Sequence, residues 1–427
     1  MLDRQSIKDY AILITLFVNS ITLISSPVEI YIGYLVIFAF LPGYFKKYKF
    51  PRSMGAVYLV LLLSGLFGIL IGNNSIGQFI KILLGTFVSY LFYYYVILDY
   101  KKDIKYLFEL YLKGAWLVTI LGMVQFVSYQ IGFIPGYSWS WILNKWGLIP
   151  GGAFGVRVSS IFGEPTYYAV FMSGAAFVGM YCLMFKKNYY SRTKSVLVVV
   201  FYFLTYSGNA TAGIAISFFL LIFNYGFLRY GIFLIPIGLF GFKYNYDNNF
   251  EFRQRYDSVI EIFSTGEFII GKTHGSSIVL YNNYNVAIES FLDNPFFGGG
   301  LGSHVTSFEK YSLTQDVPVY GFNLNSQDAN SMGLRIISET GIFGVLLFLF
   351  ILSKYYVFRR KEDELNWVVS NAILVIVALN ILRQGHYFLN GFPFFFLLYY
   401  YNLKQYLISK SAYKLGGKTV KELEETN

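Results

Sequence analysis

Few side chains in this 427-residue chain can do chemistry, and most of those that can are arginines and carboxylates near the ends of long apolar runs. Arg157 precedes one run, and Arg253 and Arg255 bracket Gln254 in a polar stretch. Arg335 sits a turn or two inside another run, and Arg383-Gln-Gly-His386-Tyr387 separates two more. A guanidinium is planar, forked and permanently charged, so it grips an oxyanion with paired hydrogen bonds where an ammonium offers a point charge. The competing reading is an arginine that snorkels to a membrane interface or pairs within a loop. Lys81 also lies inside an apolar run, where a charge must snorkel or meet a partner. If 253–255 is helical, its two arginines face different ways and one alone can point into a site.

Proton transfer needs a base within hydrogen-bond reach of the reacting group, and Asp328, Glu164 and Glu339 are the candidates. Glu164 has a second explanation, because an acidic residue beside Pro165 at a helix start complements the helix dipole. Glu339 follows Arg335 by four residues, the spacing at which two side chains share a helix face. Gly298-Gly-Gly-Leu-Gly302 lacks the Gly-Lys-Ser/Thr ending of a nucleotide phosphate loop; a tight backbone bend is the favoured reading and an anion-cradling nest the lesser one. Histidines at 274, 304 and 386 show no metal-ligand spacing, and the single Cys182 excludes an internal disulfide framework, so no metal or cofactor is expected. Trp139, Trp141 and Trp146 can stack on sugar faces, but an interfacial anchoring belt is favoured.

The elements that carry these residues must lie in lipid. Hydrophobic residues make up 55% of the chain and charged residues 14%, with 44 Phe and 39 Tyr, which rules out an ordinary soluble globule. Apolar runs of bilayer length predict an all-α integral membrane protein with about twelve spans, near 10–25, 28–45, 55–72, 76–98, 107–132, 166–185, 195–208, 210–228, 230–243, 332–357, 366–383 and 386–404. The first is read as a span and not a cleaved signal, since no small-residue cleavage site precedes Pro27. The Ser207-Gly208-Asn209 break makes the seventh to ninth spans the weakest. Lys and Arg concentrate on alternate loops, at 4–8, 46–52, 101–105, 186–194, 229, 354–361 and 404–421, although the intervening outer loops are longer, which puts both termini in the cytoplasm. That topology accounts for the +10 charge and removes nucleic acid as a partner. Two outer loops, 133–165 and 244–331, are too long to be connectors, and helical spacing marks 253–263 and 284–292 within the second. The chain is one polytopic domain, 1–427. A flippase built on repeats is weakened by the lack of similarity between halves.

Arg157-Val-Ser-Ser-Ile-Phe-Gly-Glu164-Pro165 resembles the arginine-then-proline entry to a span in the O-antigen polymerase and O-antigen ligase superfamily. Asn294-Pro-Phe-Phe-Gly-Gly-Gly-Leu-Gly302 is similar to a second motif of that superfamily. Asn330-Ser331, followed after nine residues by Gly341-Ile-Phe-Gly344, is similar to its closing motif. In ligases that motif opens with histidine, so Asn330 leans toward a Wzy-type polymerase. The resemblance implies a metal-independent glycosyltransferase of the bacterial inner membrane, working on its outer face. It would join undecaprenyl-pyrophosphate-linked oligosaccharides into O-antigen, capsule or exopolysaccharide, alongside a chain-length regulator and a flippase of the same pathway. Arg157, one of Arg253 and Arg255, Arg335, Arg383, His386 and Lys81 would then meet substrate or pyrophosphate. Asp328 or Glu164 would serve as base, with Asn330 orienting the acceptor.

Overall fold

The computed structural model describes residues 3–25, 29–226, 234–248, 250–269, 272–314, 324–359 and 364–414. Helices α1 (Arg4–Phe17), α2 (Ile32–Lys47), α3 (Arg52–Leu70), α4 (Ile76–Asp99) and α5 (Ile104–Gln130) lead through a one-turn α6 (Ile134–Tyr137) to α7 (Pro165–Phe185). Then come α8 (Arg192–Phe203), α9 (Gly208–Asn224), α10 (Leu234–Asn248), α11 (Phe250–Thr265), α12 (Gly275–Asp293) and α13 (His304–Tyr311). The chain continues through α14 (Met332–Lys354), α15 (Glu364–Arg383) and α16 (Phe392–Lys414). Two short strands, β1 (Thr22–Ile24) and β2 (Ile30–Tyr31), pair antiparallel between α1 and α2.

Five helices, α4, α5, α7, α14 and α15, are long and apolar enough to cross a membrane. They coincide with the expected spans at 76–98, 107–132, 166–185, 332–357 and 366–383, and the architecture is consistent with an all-α, multi-pass membrane protein. Spans expected at 55–72 and 210–228 fall on the shorter apolar stretches Met54–Leu70 and Gly208–Asn224. Residues 230–233 of the ninth lie outside the described residues, and the remainder forms the start of α10.

Three boundaries differ for physical reasons. The helix expected over 10–25 stops at Phe17 because the next residues turn to the 138–164 segment. Asn19 accepts the Gly163 amide (3.1 Å), Ser20 Oγ donates to the Ile161 carbonyl (2.6 Å), and the Asn144 side chain brackets the Thr22 backbone (2.8 and 2.6 Å). The run expected at 195–208 becomes α8, which ends at Phe203. Ser207 then caps α9 by accepting the Asn209 amide, so the break falls where Ser-Gly-Asn foretold it. The last helix begins at Phe392 and not at 386, after a 3-10 turn at Leu389–Gly391, with Pro393 in its first turn, where a missing amide costs nothing. His386 and Tyr387 are therefore loop residues.

Helices α7 and α15 form the centre of the apolar core, where Trp367 is wholly buried and meets Phe177 and Tyr181 edge-on (6.2 and 5.2 Å between ring centroids). By contrast α14 is peripheral and shows Leu346, Leu347, Leu349 and Phe350 outward, as a lipid-facing helix does. Helices α11 and α12 contain the two stretches read as helical in the large loop.

Candidate active site

The two glycine motifs meet, and their meeting builds the site. Helix α14 is broken at Gly341, which adopts φ 60° and ψ −161°, a conformation open essentially to glycine alone. The break deprives the Ser338 and Glu339 carbonyls of their helical partners, the amides of Ile342 and Phe343. The 295–300 segment supplies all four substitutes. Gly299 and Gly300 donate to Ser338 and Glu339 (2.9 and 3.0 Å), while Ile342 and Phe343 donate to Pro295 and Phe296 (2.8 and 3.2 Å). Buried backbone groups need partners, so each segment stabilises the other. Gly298, Gly300 and Gly302 have positive φ, as a bend requires, and the amides at 298, 299 and 300 are engaged by protein carbonyls and not set out as a nest.

Just before the break lies a buried ionic network. Arg335, 2% exposed, meets the fully buried Glu339 through Nε and Nη2 (both 2.8 Å), gives Nη1 to the Gly385 carbonyl (2.8 Å), and stacks over the Tyr387 ring at 4.4 Å. The Tyr387 hydroxyl donates to the other Glu339 oxygen (2.9 Å). The predicted pairing of 335 with 339 is present, and the Arg335 guanidinium is turned to protein and not to open space. Nearby, buried His304 bridges Ser338 Oγ (3.2 Å) and Asn283 Oδ1 (3.0 Å). Burial, aided by the Arg335 charge and opposed by Asp328, lowers its pKa to about 3, so it is a neutral packing hub. His304 had no local sequence signal, because its partners come from α12 and α14.

Through Gly385 this network holds the 384–388 loop against the 324–331 loop. The Gly385 Cα lies so close that an added Cβ would fall 1.4 Å from the Asp328 carbonyl oxygen. Asp328 Oδ2 meets His386 Nε2 at 3.0 Å, and Oδ1 accepts the Asn330 amide (3.0 Å) and Asn325 Nδ2 (3.3 Å). Burial alone would raise the Asp328 carboxyl; His386, the Asn330 amide and Arg335 outweigh it and hold the pKa at about 2. Asn330, in left-handed conformation (φ 52°), acts here through its backbone. Lys81 reaches Gln327 Oε1 (3.3 Å), next to Asp328.

Other charges converge on the same place. Glu164 precedes α7 as its N-cap residue, without a side-chain cap bond. Desolvation pushes its carboxyl up, although solvent still reaches it; Lys145 and Arg157 pull it down, and Asp328 adds to the rise. Arg157 gives Nε to the Thr205 carbonyl in the α8–α9 break (3.1 Å), so that break and the arginine position one another. Glu29 pairs with Lys145, which also donates to the Tyr31 hydroxyl (2.7 Å), and lies within electrostatic reach of His386. Glu29, Lys145 and Tyr31 were not singled out from sequence.

Arg253 and Arg255 do face apart. Arg255 Nε meets His274 Nε2 (3.2 Å) and lies within electrostatic reach of Arg383, whereas Arg253 is exposed beside Tyr246. The tryptophans divide too: Trp146 is buried with its indole donating to Ser160 (2.9 Å), and Trp141 is 72% exposed. An apolar groove of about 770 Å³ runs between α3, α4, α14 and α16, walled by Met54, Tyr58, Leu61, Ile336, Phe348 and Phe396. The Tyr387 ring lines its top, so one residue touches both the ionic network and the groove.

The interlocked motifs lie within a stretch of recognisable kind. Residues 195–349 match the family model for O-Antigen ligase. That family covers O-antigen ligases and polymerases, which are glycosyltransferase-like enzymes. The match runs from α8 into α14 and takes in the Asn294–Gly302 motif, Asp328, Asn330 and the Gly341 break; Arg157, Glu164, Arg383 and His386 lie outside it. No curated protein matches the chain. Among the described residues, no three His, Cys, Asp or Glu side chains gather as a metal cage.

Proposed function

We propose that this protein is a membrane glycosyltransferase that moves a glycan from undecaprenyl pyrophosphate onto the sugar of the next lipid-linked repeat unit. The observation that carries the reading is a polar mouth joined through Tyr387 to an apolar groove. The mouth holds Lys81, Lys145, Arg157, Glu164, Asp328 and His386, and the groove of about 770 Å³ is walled mainly by apolar side chains. A lipid pyrophosphate has that division, with an anionic head and an aliphatic tail. Arg157 and Lys81 would hold the leaving pyrophosphate before and after bond cleavage. Asn330, where the ligase pattern has histidine, favours polymerisation. The match to the O-Antigen ligase family favours a second reading, transfer of the finished glycan to another acceptor. The carriers in a deletion strain separate these. Single outward-facing units indicate lost polymerisation, long unligated chains indicate lost ligation, and units trapped inside indicate a flippase.

Two results are expected. With its mouth outward and both termini inside, a Cys placed at exposed Ser276 should react with an impermeant thiol reagent applied from outside, and one at exposed Ser191 should not. Cys182 is buried and gives little background. The reverse pattern would sink this orientation. Arg157→Lys should lower polymer formation about ten- to hundredfold with expression unchanged, since a charged hydrogen bond is worth about 1.5–3 kcal/mol and an ammonium cannot hold Thr205 and a phosphate in the same forked geometry. Near-native polymer would leave Arg157 a loop anchor.

A further inference from the structure

We propose that His386, oriented by Asp328, is the general base that takes the acceptor hydroxyl's proton, a step that rests on the glycosyltransferase reading above. The sequence pointed to Asp328 as base, and the geometry assigns it a different part. Both Asp328 oxygens are already engaged and only 12% of the side chain is exposed, so the carboxylate has little access to a hydroxyl. His386, with 31% of its side chain exposed, stands between Asp328 and the open mouth. Its Nε2 lies 3.0 Å from Asp328 Oδ2, and the tautomer with the proton on Nε2 complements that carboxylate and keeps the lone pair on Nδ1. A nucleophile's base that is itself oriented by a third group is the general arrangement for activating a hydroxyl.

The step balances. The acceptor oxygen forms its bond to the anomeric carbon as the bond from that carbon to the pyrophosphate oxygen breaks. The electron pair leaves with the lipid pyrophosphate, whose charge the cations at the mouth offset. The hydroxyl proton moves to Nδ1 and passes later to the released pyrophosphate or to water. Several charged groups face His386 or lie close behind it: Asp328 from the 324–331 loop, Glu29 before β2, the Arg335–Glu339 pair of α14 behind Gly385, Lys81 of α4 beside Gln327, and Glu164 before α7.

Asp328 is then a positioning residue, and its amide variant is diagnostic. Two donors, the Asn330 amide and Asn325 Nδ2, converge on Oδ1, so in Asp328→Asn the amide oxygen stays there and the NH2 group turns to His386. Nε2 must then accept, the proton sits on Nδ1, and the base is lost although shape is kept.

The test uses full-length protein in liposomes with purified lipid-linked repeat units, rates being normalised to folded protein by size exclusion and thermal melting. His386→Gln and Asp328→Asn should each lower kcat about 10²–10⁴-fold with KM little changed. The double variant should be no worse than the poorer single, as expected of groups acting as a unit. A native kcat in either variant, losses confined to KM, or additive losses would overturn the proposal. If native protein forms no glycosidic bond from any unit, it is the glycosyltransferase reading that fails.

Discussion

Glu339→Gln should destabilise the protein by about 3–5 kcal/mol, because it leaves the wholly enclosed Arg335 charge without its counter-ion. Glutamine keeps the shape, its oxygen can still accept from Arg335 and its NH2 can donate to the Tyr387 hydroxyl, so the loss would report charge and not packing. Adding Arg335→Met removes the stranded cation and should recover a good part of the loss, since exchanging a buried pair for apolar side chains is often close to neutral. The measurement is unfolding of the three variants and native protein in the same detergent. A Glu339→Gln protein within about 0.5 kcal/mol of native would mean that water reaches the pair. Activity should not return with stability in the double variant. Arg335 also fixes the Gly385 carbonyl, the neighbour of His386, and methionine has no donor to replace that bond.

That variant pair shows which parts of the site the sequence made legible. The spacing of Arg335 and Glu339 is local, so a helix puts them on one face and the pairing could be read directly. The separation of Arg253 from Arg255 followed from the same geometry, as did the interruption at Ser207-Gly208-Asn209. Nothing local joins Asp328 to His386, or His304 to Asn283 and Ser338. Those contacts depend on how loops from distant helices dock, and a lone histidine carries no period to betray its partners. Span boundaries failed where loop polar groups captured the backbone. Asn19 and Ser20 end α1 by bonding a segment more than a hundred residues away, and no hydropathy window contains that information. The residues of the mouth were visible one by one as charges at the ends of apolar runs. Their assembly, with Glu29 and Lys145 added, required the fold.

The break in α14 was equally hidden, because apolar residues continue through it at helical spacing, and it sets the second large effect. Gly341→Ala should cost more than about 3 kcal/mol. The backbone there lies in a region that costs an L residue about 1–3 kcal/mol of strain. The new Cβ would also stand 2.6 Å from the Phe296 carbonyl carbon and oxygen, backbone atoms that cannot swing aside. If α14 relieved the strain by becoming continuous, Ile342 and Phe343 would return their amides to Ser338 and Glu339. The four groups of the 295–300 segment would then lose their partners, and an unsatisfied buried polar group costs about 1–3 kcal/mol. Either response moves the turn that carries Ser338 and Glu339, and with it the His304 contact and the Arg335 grip on Gly385. The variant should therefore lose both melting temperature and transfer activity. Gly77→Ala is the control, since it has no neighbour within 4 Å and no positive φ, and it should be neutral or slightly stabilising in the first turn of α4. A Gly341→Ala protein that melts and turns over like native would show that the break is not what aligns the two motifs, and the site would have to be held from the α4 and α7 side instead.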